Sequence, residues 1–70
     1  MNKREIEMMD AIQIGDVVRH AFFGCNQRVL RKLPESAEVI VVDAETGADE
    51  YRTWVGHVRK APDTQIDQEG

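Results

Sequence analysis

The side chains best suited to metal or covalent chemistry are His20, Cys25 and His57. Zinc sites announce themselves by paired Cys or His at close spacing, and His20-x4-Cys25 is not such a pair. A nucleophilic thiol needs a base and an electropositive pocket, and nothing in the sequence around Cys25 marks either. The chain carries no Walker loop, no Gly-x-Gly-x-x-Gly and no serine in a nucleophile elbow. Asp43, Glu45, Asp49 and Glu50 crowd one turn without the fixed ligand spacing of an EF-hand. The sequence therefore predicts no catalytic residue, no metal site, no cofactor and no enzyme activity.

Two other sets point to recognition. Phe22 and Phe23 are adjacent in a segment that ends in Gly24. Neighbouring rings in a loop do not both point inward, so one is expected to plug the end of the core and the other to anchor a partner. Tyr51 is placed to join the exposed ring. Trp54 is expected in the core, because one indole supplies much apolar area in so small a domain. The second set is Arg28, Arg31, Lys32, Arg52, Arg59 and Lys60. Arg28 and Lys32 share strand parity; if the second strand lies beside the last, four or five cations gather on one face, suited to phosphate or an acidic protein. The same residues equally form a solvated surface balanced across the strands by Glu38, Asp43 and Glu50. The expected partner-binding residues are Phe22, Phe23, Tyr51, Arg28, Lys32, Arg52 and Arg59.

Something must position these groups, and a chain of 70 residues offers one domain. A domain of this size buries about 60% of its unfolded surface, which leaves little room for an enclosed active site. One cysteine excludes an internal disulfide and fits a reducing compartment. The first residues lack an apolar signal-peptide core, and no apolar run is long enough to span a bilayer. A cytoplasmic protein is expected. The net charge of −4 is uneven. Between Ile12 and Lys60 acids and bases cancel, and the excess acid lies in Glu5, Glu7 and Asp10 before and Asp63, Asp67 and Glu69 after. Overall acidity disfavours non-specific nucleic-acid binding, although a neutral body with one basic face stays open.

Three segments follow. Residues 1–11 form a short helix, with Asn2 as cap and Glu5 at capping-box spacing, and with Ile6 and Met9 on one face. Residues 12–61 hold five strands: Ile12–His20, bent at Gly15-Asp16; Gln27–Leu33; Ala37–Ala44; Glu50–Val55; and Val58–Lys60 after a one-turn break at Gly56-His57. Residues 62–70 are an acidic, disordered tail. The run Val39-Ile-Val-Val42 is β-branched throughout and predicts the strongest strand. Its continuity implies burial on both faces. The outer face must then be covered by the helix, by a second copy of the chain or by a target. Gly47 is expected to turn the hairpin with φ > 0.

The opening Ile14-Gly-Asp-Val-Val-Arg19, the aromatic loop ending Phe23-Gly24, the central apolar strand and the closing Trp54-Val-Gly-His-Val-Arg-Lys60 resemble the SH3-like small barrels, with KOW and Tudor domains nearest. The resemblance implies an all-β fold, a five-stranded antiparallel barrel behind a short N-terminal helix. It also implies binding to RNA, DNA, ribosomal surfaces, methylated side chains or peptides. The chain departs from the Tudor pattern in its missing cage aromatics. It departs from nucleic-acid-binding KOW domains in its acidity. Two functions are expected: a small binding module that docks on a protein or nucleic-acid partner through loop aromatics and a basic strand face, or a regulatory or inhibitory protein of a mobile element or phage that blocks a larger machine. A homo-oligomer formed through the Val39–Val42 face is a further expectation.

Overall fold

The computed structural model describes residues 2–61. The expected acidic tail at 62–70 lies outside them. The order of elements is helix α1 (Lys3–Ala11), strands β1 (Val17–His20), β2 (Asn26–Leu33), β3 (Glu38–Asp43) and β4 (Tyr51–Trp54), a 3₁₀ turn (Val55–His57), and β5 (Val58–Lys60). No helix among the described residues is long and apolar enough to cross a membrane.

Helix α1 starts as its sequence dictates. The Glu5 N–H donates to Asn2 Oδ1 at 2.8 Å, and the Asn2 N–H donates to Glu5 Oε1 at 3.1 Å. Nine residues are too few to hold a helix alone in water. Tertiary contacts supply the rest. Met9 and Ile12 enter the core, Lys32 Nζ donates to the Met9 carbonyl at 2.8 Å, and Trp54 Nε1 donates to Glu5 Oε2 at 2.8 Å. Ile6 stays exposed and does not share the buried face of Met9.

The strands form one antiparallel sheet in the order β4-β3-β2-β1-β5. β1 therefore separates β2 from β5, and the expected adjacency of the second and last strands does not occur. β1 also begins later than expected. Gly15 has φ +94°, and the Asp16 N–H donates to the Gln13 carbonyl at 3.0 Å, so residues 13–16 turn instead of extending. Ile12 is buried and Ile14 is exposed.

Register divides the sheet into two faces. Val39 lies beside Lys32 and Thr53, Val41 beside Val29 and Tyr51, and Val18 beside Gln27. These rows face inward, and their valines form the core with Met9, Ile12, Ala37, Val55 and Val58. The sheet curls over that core. His20 Nε2 on β1 reaches Thr53 Oγ1 on β4 at 3.1 Å, although β2 and β3 separate the two strands in the sheet. Among the described residues the edge strands β4 and β5 share no ladder; the 3₁₀ turn joins them.

Ile40 and Val42 face outward, as continuous hydrophobicity requires. Val42 is only 7% exposed within the single chain. Its row neighbours are Arg28 and Val17, and Ile40 is flanked by Arg31 and Arg52. Arginine stems beside apolar residues cover them while the guanidinium stays wet. The helix packs into the core at the inner side and does not serve as this cover.

The register of β2 against β3 slips between Val29 and Arg31, which leaves Leu30 as an extra, exposed residue. This bulge inverts parity along β2. Arg28 is on the outer face, whereas Lys32 shares the inner row of Val39. The expected common face for Arg28 and Lys32 is thereby overturned.

Candidate partner-docking surface

Loop 21–25 is a tight connection pinned from both sides. The Ala21 N–H donates to the His57 carbonyl at 2.7 Å, and the Gly24 N–H donates to the His20 carbonyl at 2.8 Å. Gly24 takes φ +69°, a conformation that other residues adopt only at a cost. So constrained, the loop turns both phenylalanines outward. Phe22 is 72% exposed and Phe23 57%, so neither plugs the core. Trp54 is 40% exposed and also departs from expectation. The six-membered part of its indole lies against Gly56 instead of entering the core.

The exposed rings stand on a buried imidazole. Phe23 stacks on His20 with centroids 4.4 Å apart, and Phe22 lies 4.7 Å from His57. Tyr51 meets Phe23 edge-on at 5.5 Å. Phe22, Phe23 and Tyr51 thus form one aromatic pad. An aromatic patch held open to water by a fixed loop is the chemistry of a partner anchor.

His20 is 1% exposed, and its hydrogen bonds assign its protons. The Phe22 N–H donates to Nδ1 at 3.1 Å, so Nδ1 is unprotonated and the ring is neutral. Nε2–H then donates to Thr53 Oγ1, and the Thr53 hydroxyl is free to donate to His57 Nδ1 at 3.4 Å. Both His20 nitrogens are occupied within the protein. No group of three or more potential metal ligands occurs among the described residues. Cys25 is exposed.

Burial, with a smaller contribution from nearby His57, lowers the His20 pKa below its ordinary value of 6.5. The unfolded chain takes up this proton first as pH falls, so the stability due to neutral His20 is complete above about pH 6.5. It is lost as pH drops from there through the lower folded-state value. Thermal midpoints are expected to be flat above neutrality and to fall as the pH drops below about 6.5, with this limb absent in His20→Gln. The Glu5 carboxyl is held below its ordinary 4.5 by the Trp54 indole and the Asn2 backbone, and the Asp43 carboxyl below 3.8 by the Thr46 and Glu45 backbone. Those stabilising contributions are present above the ordinary carboxylate values and disappear only in more acid solution. A midpoint unchanged from pH 7 to 5 would contradict the assignment of His20.

The basic residues divide by side-chain type. Arg59, Arg19, Arg28, Arg31 and Arg52 all occupy outward rows. Arg19 faces Arg59 directly across β1 and β5. Lys32 instead caps the C-terminal end of α1, where a cation meets free carbonyls. Lys60 shares the row of Val18 and pairs with Asp16 at 3.5 Å. Of the acids expected to balance this face, only Glu38 does so among the described residues, 3.6 Å from Arg52. Asp43 Oδ1 accepts from the Glu45 and Thr46 N–H groups of its own turn. The structure therefore brings Phe22, Phe23 and Tyr51 together, puts Arg28, Arg52 and Arg59 on outward rows of three strands that are not neighbours in the sheet, and sets Lys32 apart. Sequence reasoning overlooked Arg19 and the supporting role of His20. Their alternation on Val17–His20, one outward and one inward, was the available signal.

Comparison of the chain with protein-family models, curated proteins and solved structures finds no match.

Proposed function

We propose that this chain is a small non-enzymatic binding module that docks on a protein partner through the pad of Phe22, Phe23 and Tyr51. The observation that carries the reading is the exposure of two adjacent phenylalanines on a loop whose backbone is fixed by hydrogen bonds to His20 and His57. Apolar rings presented by a rigid support lose little entropy on binding and fill partner pockets well. The strand order, the curl and the 3₁₀ turn before β5 support an SH3-like barrel as the scaffold.

The double variant Phe22→Ala/Phe23→Ala tests this. Its thermal midpoint is expected to stay within a few degrees of wild type, because neither ring is core. Affinity capture from lysate is expected to lose the proteins that the wild-type chain retains. Loss of several kcal/mol of stability would show the rings to be structural. Identical captured proteins would equally defeat the reading.

A further inference from the structure

We infer that the outer sheet face is a second docking surface, separate from the aromatic pad, and that it takes the phosphate backbone of a nucleic acid. Every outward-facing cation of the sheet is an arginine. Lys32 is set apart at the end of α1, and Lys60, on an inward row at the sheet edge, joins Arg19 and Arg59 at one cleft. Arginine differs in its planar fork, which binds phosphate through paired hydrogen bonds.

Arg19 and Arg59 sharpen the inference. They are directly opposed across β1 and β5, an arrangement that repels in the free protein. The partner seen for the Arg19 guanidinium is Asn26 Oδ1 at 3.4 Å, a neutral group. Beside the pair lies a cleft of about 340 Å³ lined by Arg19, His20, Ala21, Gly24, Arg59 and Lys60, with no carboxylate in its wall. An anion in that position would relieve the repulsion.

From this end the charges continue through Arg28 and Arg31 to Arg52, the last of which is paired with Glu38. Measured along the curled sheet, five strands at the usual spacing carry the array over an arc of about 19 Å, further than one acidic side chain reaches. The choice between nucleic acid and an acidic protein follows from what the face lacks. Protein interfaces are built around an apolar, often aromatic centre; here the aromatic pad is elsewhere, Val42 is already buried, and the aromatic on the outward row, Trp54, is 40% exposed but has its indole held by Glu5 and packed on Gly56. Interfaces with nucleic acid are more polar and strongly positive. Acids and bases cancel between Ile12 and Lys60, and Glu5, which shares a cleft with Arg59, already accepts hydrogen bonds from Asn2 and Trp54.

Fluorescence anisotropy of a labelled 20-base-pair duplex of arbitrary sequence, titrated with the full chain between 50 and 200 mM salt, tests the inference. With four or five phosphates neutralised, log K against log salt is expected to fall with a slope of about −4, a loss of a few hundredfold over that range. Arg19→Ala/Arg59→Ala is expected to make the slope shallower by about two, whereas Arg19→Lys/Arg59→Lys is expected to keep the slope and weaken binding at every salt concentration. Phe22→Ala/Phe23→Ala should leave the slope unchanged, which separates this surface from the pad. Thermal melts establish that each variant is folded, and Arg28→Gln/Arg31→Gln gives a second reading should the first pair fail to fold. No binding at 50 mM salt would overturn the proposal. So would a slope indifferent to the arginines, or polyglutamate displacing the duplex as effectively as a second duplex does.

Discussion

His20→Ala is expected to cost about 3 kcal/mol or more, enough to leave a domain of this size largely unfolded. His20 is fully buried, and among the fully buried side chains it is the largest. Its removal opens a cavity between β1 and β4 and deletes two hydrogen bonds at once. The Thr53 hydroxyl loses its donor, and the Phe22 N–H loses its acceptor. The Thr53 hydroxyl keeps His57 Nδ1 as a partner and the Phe22 N–H is only partly buried, so the cavity dominates the cost and the lost hydrogen bonds add to it. Urea denaturation followed by circular dichroism measures the change. His20→Leu separates the two contributions, since it restores bulk without either hydrogen bond and should recover only part of the loss. A stability for His20→Ala within 1 kcal/mol of wild type would show that β1 and β4 are not held together through this ring. Loss of the ring should also release Phe22 and Phe23, so pad and core are expected to fail together.

The second large effect is expected at Gly56, for a reason that no propensity scale contains. A Cβ at this position would sit 2.2 Å from Trp54 Cζ3 and 2.3 Å from Cη2. Gly56 does not have a positive φ, so the demand is for space and not for backbone freedom. Gly56→Ala must push the indole away, and with it the hydrogen bond from Trp54 Nε1 to Glu5 that helps dock α1. Because the indole is part-exposed and can swing outward, the cost is expected near the lower end of the overpacking range, about 1 kcal/mol, or roughly 5 °C in thermal midpoint for a domain of this length. Trp54 is the sole tryptophan, so its emission reports the movement directly and should shift to the red in the folded variant. In a Trp54→Ala background the same glycine substitution should cost almost nothing, which makes the pair a double-mutant cycle. Unchanged emission and midpoint in Gly56→Ala would refute the contact.

Both predictions bear on the short passage from β4 through the 3₁₀ turn to β5, the first through the contact of His20 with Thr53 and the second at Gly56 itself; this passage ties one edge of the sheet to the other. That passage supports the aromatic pad as well, since the His57 carbonyl accepts from Ala21 and the His57 ring lies against Phe22. A binding surface placed over the seam of a curled sheet inherits the rigidity of the core beneath it. It can therefore present bare aromatic rings without the loop collapsing over them.

Local features of this protein were legible in its residues. The Asn2–Glu5 capping box, the β-branched strand through Val39–Val42, the positive φ of Gly47 and the break at Gly56-His57 depend on neighbours a few positions apart, and such neighbours are written side by side. What tertiary structure alone decided was everything that depends on register and strand order. One extra residue at Leu30 reversed the side on which Lys32 emerges, and the position of β1 between β2 and β5 set Arg19 against Arg59. His20 and Thr53 are far apart in sequence, and only the curl of the sheet makes them partners. The exposure of Phe22, Phe23 and Trp54 likewise belongs to the whole. Valines and a histidine already fill this small interior, so the largest rings are left at its rim, where hydrophobicity alone would not have put them.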